Sequence, residues 1–165
     1  MTYSQNRQTI RLQHYDYTNH SYYFITICCI NRLHLFGYVI DNQMILNDCG
    51  KIAHDTWLYN QNKRQNIQLH NFIIMPNHIH AIIEIKEQLT NIHQDKFISQ
   101  SNTIGSIIRG YKSSVSSQLK HIFNHSVWQK NYYEHIIRNE QSYQMISEYI
   151  SNNPALWEQD RFYGA

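Results

Sequence analysis

The sequence predicts an α+β domain: an antiparallel sheet with helices packed on one face, in a ferredoxin-like arrangement. Three observations lead there. Blocks rich in aromatic and β-branched residues, Ser21–Ile30, Ile67–Met75 and His78–Ile85, read as strands. The last two are separated only by Pro76-Asn77, a link short enough for an antiparallel pair. Elsewhere apolar residues recur at helical spacing, so strands and helices intermix along the chain. The 165 residues fit one domain, large enough to bury a core without staples.

Residues 1–17 are polar and basic and read as an arm with little structure of its own. The strand Ser21–Ile30 follows. Leu35–Ile40 and Gln43–Leu46 flank Asp41-Asn42, residue types that tolerate the positive φ of a tight hairpin turn. Asn47 or Asp48 caps a helix that runs to about Asn60, with Ile52, Ala53, Thr56, Trp57 and Tyr59 on its apolar side. The strands Ile67–Met75 and His78–Ile85 come next. The span 86–102, polar and mixed in charge, reads as a mobile loop. Thr103 caps a helix over Ile104–Phe123 whose apolar face is Ile104, Ile107, Ile108, Tyr111, Val115 and Leu119. Val127–Ile137 is part strand and part loop. A last helix spans Glu140–Asn152, and Pro154 helps to end it, because the residue before a proline avoids helical geometry.

Composition excludes several classes. Hydrophobic residues make up 42 % of the chain, yet no apolar run nears the ~20 residues of a membrane span. The first residues lack an apolar core, so no secretory signal is expected. The three cysteines, Cys28, Cys29 and Cys49, make no disulfide framework and no Cys-x-x-Cys metal pair; buried, reduced thiols in a cytoplasmic protein account for them. Net charge is +2, but from Arg109 to Arg138 five basic residues face a single acid, Glu134. Serine, tyrosine and asparagine are interleaved there. The mixture suits phosphate contact with base stacking, and suits an ordinary solvated surface as well.

Two spacings carry chemistry. In His78-Ile79-His80, alternate strand residues point to one side, so both imidazoles project together while Ile79 turns into the core. Neutral imidazoles ligate metals; two surface histidines are the plainer account. Tyr149 and Asn153, four apart, share one face of the last helix. A phenol can attack phosphorus and hold a strand end covalently, though its ordinary pKa near 10 means that it needs help. A core tyrosine with a C-terminal cap is the plainer account. Tyr133 and Tyr143 are rival nucleophiles by residue type. Tyr143 lies about 600° of helical rotation before Tyr149, so it faces elsewhere. No Gly-rich phosphate loop is present, so no nucleotide cofactor is expected.

Three runs decide between these accounts. Phe72-Ile73-Ile74-Met75-Pro76-Asn77-His78-Ile79-His80-Ala81-Ile82-Ile83 resembles the His-hydrophobic-His (HUH) motif of the single-tyrosine, IS200-like transposases. Trp128-Gln129-Lys130-Asn131-Tyr132-Tyr133-Glu134-His135-Ile136-Ile137-Arg138-Asn139-Glu140 resembles a second signature, that of the branch associated with repetitive extragenic palindromes (REP). Glu148-Tyr149-Ile150-Ser151-Asn152-Asn153-Pro154 resembles the tyrosine helix of that branch. The motifs stand in family order over most of the chain.

The resemblance implies an RRM-like HUH nuclease fold in a cytoplasmic bacterial enzyme. His78, His80 and Asn153 would hold a divalent metal, magnesium or manganese, and Tyr149 would form a 5′-phosphotyrosine link. With no carboxylate in that set, affinity for a hard cation should be modest. The expected substrate is single-stranded DNA bearing a hairpin, cleaved and rejoined by a monomer or a homodimer. Arg109, Lys112, Lys130, Tyr132, Tyr133, His135 and Arg138 are further candidates for holding DNA or ordering the site. The alternative is a domesticated, non-catalytic module that binds single-stranded or hairpin nucleic acid by stacking.

Overall fold

The computed structural model describes residues 21–86 and 103–164, so the expected arm over 1–17 and nearly all of the expected loop over 86–102 lie outside the described residues. Strands β1 (Ser21–Cys28), β4 (Ile67–Ile74), β5 (His78–Ile85) and β6 (Tyr133–Ile137) form one antiparallel sheet in the order β4-β5-β1-β6. β2 (Gly37–Ile40) and β3 (Gln43–Leu46) form a separate hairpin. Its turn residues, Asp41 and Asn42, take φ of 49° and 60°, as their residue types predict. Gly37 is obligatory there: its φ is +139°, and a Cβ would lie 2.1 Å from the Ile45 carbonyl oxygen.

Helix α1 (Asp48–Lys63) starts where the Asn47 side chain accepts from the Gly50 amide, and α2 (Ile104–Leu119) where Thr103 accepts from Ser106. Both pack on the face that β1 and β5 present through Tyr23, Ile25, Ile27, Ile79, Ala81, Ile83 and Ile85. All six apolar residues expected on the inner face of α2 are buried. Tyr59 instead stands exposed on α1. The third helix, α3 (Glu140–Asn152), corrects the expectation that helices share one face. It lies on the opposite side, where Ile150 meets Ile82 and Ile137. The reason is β5, which is buried at every position. A central strand buried on both faces, here with Ile82 among the histidines and Glu84 on the second, has an element packed on each.

Boundaries shift where tertiary contacts override local pattern. β1 stops at Cys28, and Cys29 bridges to Trp128 instead of extending the ladder. All three cysteines are free; Cys28 is only half-buried, whereas Cys29 and Cys49 are buried as expected. Among the described residues, no helix is long and apolar enough to cross a membrane.

Trp57 ties α1 to the rest. It is fully buried, with its ring 5.0 Å from Tyr111 of α2 and 6.2 Å from Phe72 of β4, centroid to centroid. Trp57→Ala should therefore cost about 3–5 kcal/mol, read as a lowered denaturant midpoint.

Candidate functional site

The register of the sheet assembles the site. β1 and β5 pair so that Thr26 lies opposite His80 and Cys28 opposite His78. Ile79 turns into the α1–α2 core while His78 and His80 emerge on the α3 side, both almost completely buried. Their rings lie 4.5 Å apart, centroid to centroid.

Each ring has its Nδ1 engaged. Asn77 donates through Nδ2 to the carbonyl oxygens of Arg32 (3.2 Å) and Phe162 (2.7 Å), which fixes its amide orientation. Its Oδ1 therefore accepts from His78 Nδ1 at 2.8 Å. The proton on Nδ1 leaves the lone pair on Nε2, which is buried and has no hydrogen-bond partner. His80 Nδ1 lies 2.8 Å from the Thr26 hydroxyl, which can hold the same tautomer, and its Nε2 lies 3.3 Å from the Tyr149 hydroxyl. Burial drives His78 down to about pKa 3, reinforced by Arg161, Arg32 and His34 while Asn153 pulls the other way. Burial, then His78 and Arg161, pushes His80 well below the ordinary range. Both imidazoles are thus neutral near pH 7, as metal ligands must be.

The other side of the site comes from α3 and the chain beyond it. Tyr149 is 39 % exposed, so solvent can reach it. Burial of its inner side and the Asp160 charge raise its pKa, against the pull of Asn153 and Arg161. Asn153 is 1 % exposed, lies beside His78 and Tyr149, and has neither amide atom hydrogen-bonded. After Pro154 the chain makes a short 3-10 turn, Trp157–Gln159, and packs back on the histidines. Phe162 lies over His78 with centroids 4.5 Å apart.

That return brings in Asp160, which corrects the expectation of a site without a carboxylate. A carboxylate oxygen of Asp160 and one nitrogen each of His78 and His80 lie within 4.8 Å of one another. Two lone-pair nitrogens, a carboxylate and an amide with no partner of its own form a donor set that fits a divalent cation.

The softer candidates divide by face. Tyr133 and His135 are exposed on β6, and their register beside Thr26 and Phe24 sets them on the same side as Tyr149. Lys130 and Arg138 are exposed at either end of that strand. Arg109 is exposed on α2, a helix of the far side of the sheet. Lys112 is committed internally: its ammonium donates to the carbonyls of Gln129 (2.8 Å) and Asn131 (3.0 Å), and burial lowers its pKa to about 8. Tyr132 donates to Glu134 at 3.0 Å and packs against the core. The rival nucleophile Tyr143 has its hydroxyl 2.9 Å from His70 Nδ1.

Sequence reasoning missed Asn77, Thr26 and Asp160. Asn77 stood inside a motif and could have been flagged by adjacency. Thr26 required the strand register, and nothing in the sequence signalled the return of the chain that delivers Asp160.

Comparison with known proteins supplies the family. The family model described as "Transposase IS200 like" matches residues 17–153. An uncharacterised protein of Haemophilus influenzae is 47 % identical, over 96 % of this chain and 93 % of its own length. The fold is similar to a solved REP-associated tyrosine transposase bound to a REP hairpin, with a TM-score of 0.63 at 19 % identity, over 88 % of this chain and 73 % of that one.

Proposed function

The chain belongs to the IS200-like transposase family, and we propose that it cleaves and rejoins single-stranded DNA beside a hairpin through a covalent 5′-phosphotyrosine on Tyr149. The observation that carries the reading is Tyr149, a partly exposed residue whose hydroxyl lies 3.3 Å from His80 Nε2, beside His78 Nε2 and an Asn153 amide that are buried without partners. The hairpin on a solved protein of similar fold supports the substrate class.

His78, His80 and Asn153, with Asp160, would hold magnesium or manganese. When bound, the ion would polarise the scissile phosphate and offset its charge. The imidazole nitrogens favour manganese, because magnesium prefers oxygen ligands. Asn77 keeps the His78 ligand nitrogen deprotonated, and Thr26 can do the same for His80. Tyr149 loses its proton to solvent and its oxygen forms a bond to phosphorus. The bond from phosphorus to the 3′-oxygen breaks, and that oxygen leaves as a hydroxyl after taking up a proton. In the rejoining step a 3′-hydroxyl gives up its proton to solvent and attacks the phosphorus, the bond from phosphorus to the Tyr149 oxygen breaks, and Tyr149 takes up a proton. One phosphodiester-type bond replaces another, so no nucleotide cofactor is required. Tyr149 reaches the His80 of its own chain, so a monomer has the complete set of groups.

The test is incubation with manganese and hairpin-bearing single strands from the DNA flanking the gene, read as a covalent adduct on a denaturing gel. An adduct is expected. A tight native-gel shift without one would replace the enzyme with a domesticated binding module. Asp160→Asn should weaken manganese binding by at least about tenfold in a paramagnetic titration; unchanged affinity would remove Asp160 from the site.

A further inference from the structure

α3 has a second set of contacts at its opposite end. A cavity of about 700 Å³ opens there, lined by Tyr22, His70, Tyr143, Arg138, Asn139 and Glu140 among others. It shares the sheet face of the HUH histidines, because Glu84 follows His80 by four residues on β5. At its wall runs a relay: Glu84, 5 % exposed, lies 2.7 Å from His70 Nε2, and His70 Nδ1 lies 2.9 Å from the Tyr143 hydroxyl. The reaction on Tyr149 makes no use of this relay.

We propose that the cavity holds one unpaired nucleobase of the bound strand and reads an amine on its edge through the Tyr143 hydroxyl oxygen. The inference rests on the single-stranded DNA reading above and assigns that substrate a binding subsite.

Chemistry selects the ligand. A neutral His70 ring that donates its Nε2 proton to Glu84 accepts at Nδ1, and in that state the Tyr143 proton is spent on His70. The Tyr143 oxygen then presents lone pairs alone, which favour a donor. Adenine, cytosine and guanine carry exocyclic amines, and thymine does not. Glu140 in the lining and Glu84 behind His70 favour an amine in the cavity, and Arg138 is left for the strand's phosphates. Tyr22 and Tyr143, with ring centroids 5.7 Å apart, supply aromatic surface for a base to stack on. Arg138 is exposed at the rim, where the backbone of the strand would pass. Burial and the neighbouring Tyr22, Glu140 and Glu84 raise the Tyr143 pKa, so the hydroxyl keeps its proton.

Spacing fits as well. Tyr143 precedes Tyr149 by six residues, about 9 Å along the helix axis. Glu84 lies about 13 Å along the strand from His80. At about 3.4 Å per stacked nucleotide, the base held would lie about three or four nucleotides from the phosphate attacked.

The experiment is an abasic scan of the unpaired strand beside the hairpin, with affinity read on native gels and the Tyr149 adduct read on denaturing gels. One position is expected to lose about fivefold or more in affinity when its base is removed. Thymine at that position, which keeps a stacking face but lacks the exocyclic amine, should bind between the intact strand and the abasic residue. Tyr143→Phe should lower affinity for the intact strand, abolish the discrimination against thymine at that position and shrink the abasic loss to its stacking part. The scan uses the unaltered protein, so it does not depend on the variant folding. A flat scan, or a Tyr143→Phe loss that simply adds to the abasic loss, would overturn the subsite while the adduct left the Tyr149 reading intact. Neither binding nor adduct with any hairpin strand would overturn both.

Discussion

Tyr149→Phe is expected to abolish the covalent protein–DNA adduct, lowering strand cleavage by about 10⁴-fold or more, the scale on which covalent enzymes fail without their nucleophile. The substitution removes one oxygen from a side chain that is 39 % exposed. Its hydroxyl approaches His80 Nε2 at 3.3 Å. Stability should therefore change by no more than about 0.5 kcal/mol, and hairpin binding should stay near that of the unaltered protein. Cleavage retained in this variant would shift the nucleophile to another tyrosine. Tyr133, exposed on the same face, would be the first to test. Tyr143 is the weaker rival, since its hydroxyl is tied to His70.

His78→Ala carries the second large effect. Manganese at a hundredfold excess over its dissociation constant should stabilise the unaltered protein by about 2.7 kcal/mol. The variant should show no such gain in thermal unfolding and no metal-dependent adduct. A full manganese gain in the variant would exclude His78 as a ligand. Without metal, the variant also leaves Asn77 Oδ1 without its partner and a space beneath Phe162. The pH response provides a separate check. The folded pKa of about 3 lies below the ordinary 6.5. As pH falls from about 6.5 towards 3, the unfolded chain takes up a proton that the folded chain refuses, so stability declines through that window. His78→Ala should reduce that decline.

How much of this was legible in the sequence depends on the range of the interactions. The limits of α3 were readable from Glu140 to Asn152, because Pro154 and the helical spacing of Tyr143, Ile146 and Ile150 are local signals. The shared direction of His78 and His80 followed from strand periodicity alone. The side of the sheet taken by α3 was not readable. It follows from the burial of β5 on both faces, which the polar appearance of two histidines and a glutamate disguised. The tautomers were equally hidden. They depend on Thr26, 54 residues from His80, and on the Phe162 carbonyl, 85 residues from Asn77. Asp160 lies past the helix in a segment with no motif, so nothing but the folded path reveals it.

The bond between Asn77 and the Phe162 carbonyl has a consequence for the order in which this protein comes into being. A ribosome makes Asn77 and His78 well before the groups that fix the Asn77 amide and add the carboxylate, Phe162 and Asp160, which follow some 80 residues later. A nascent or truncated chain ending before residue 160 would carry the nucleophile without a fully prepared metal face. On the function proposed above, cutting competence would then appear only once the segment around Asp160 and Phe162 had been made and folded back onto the histidines.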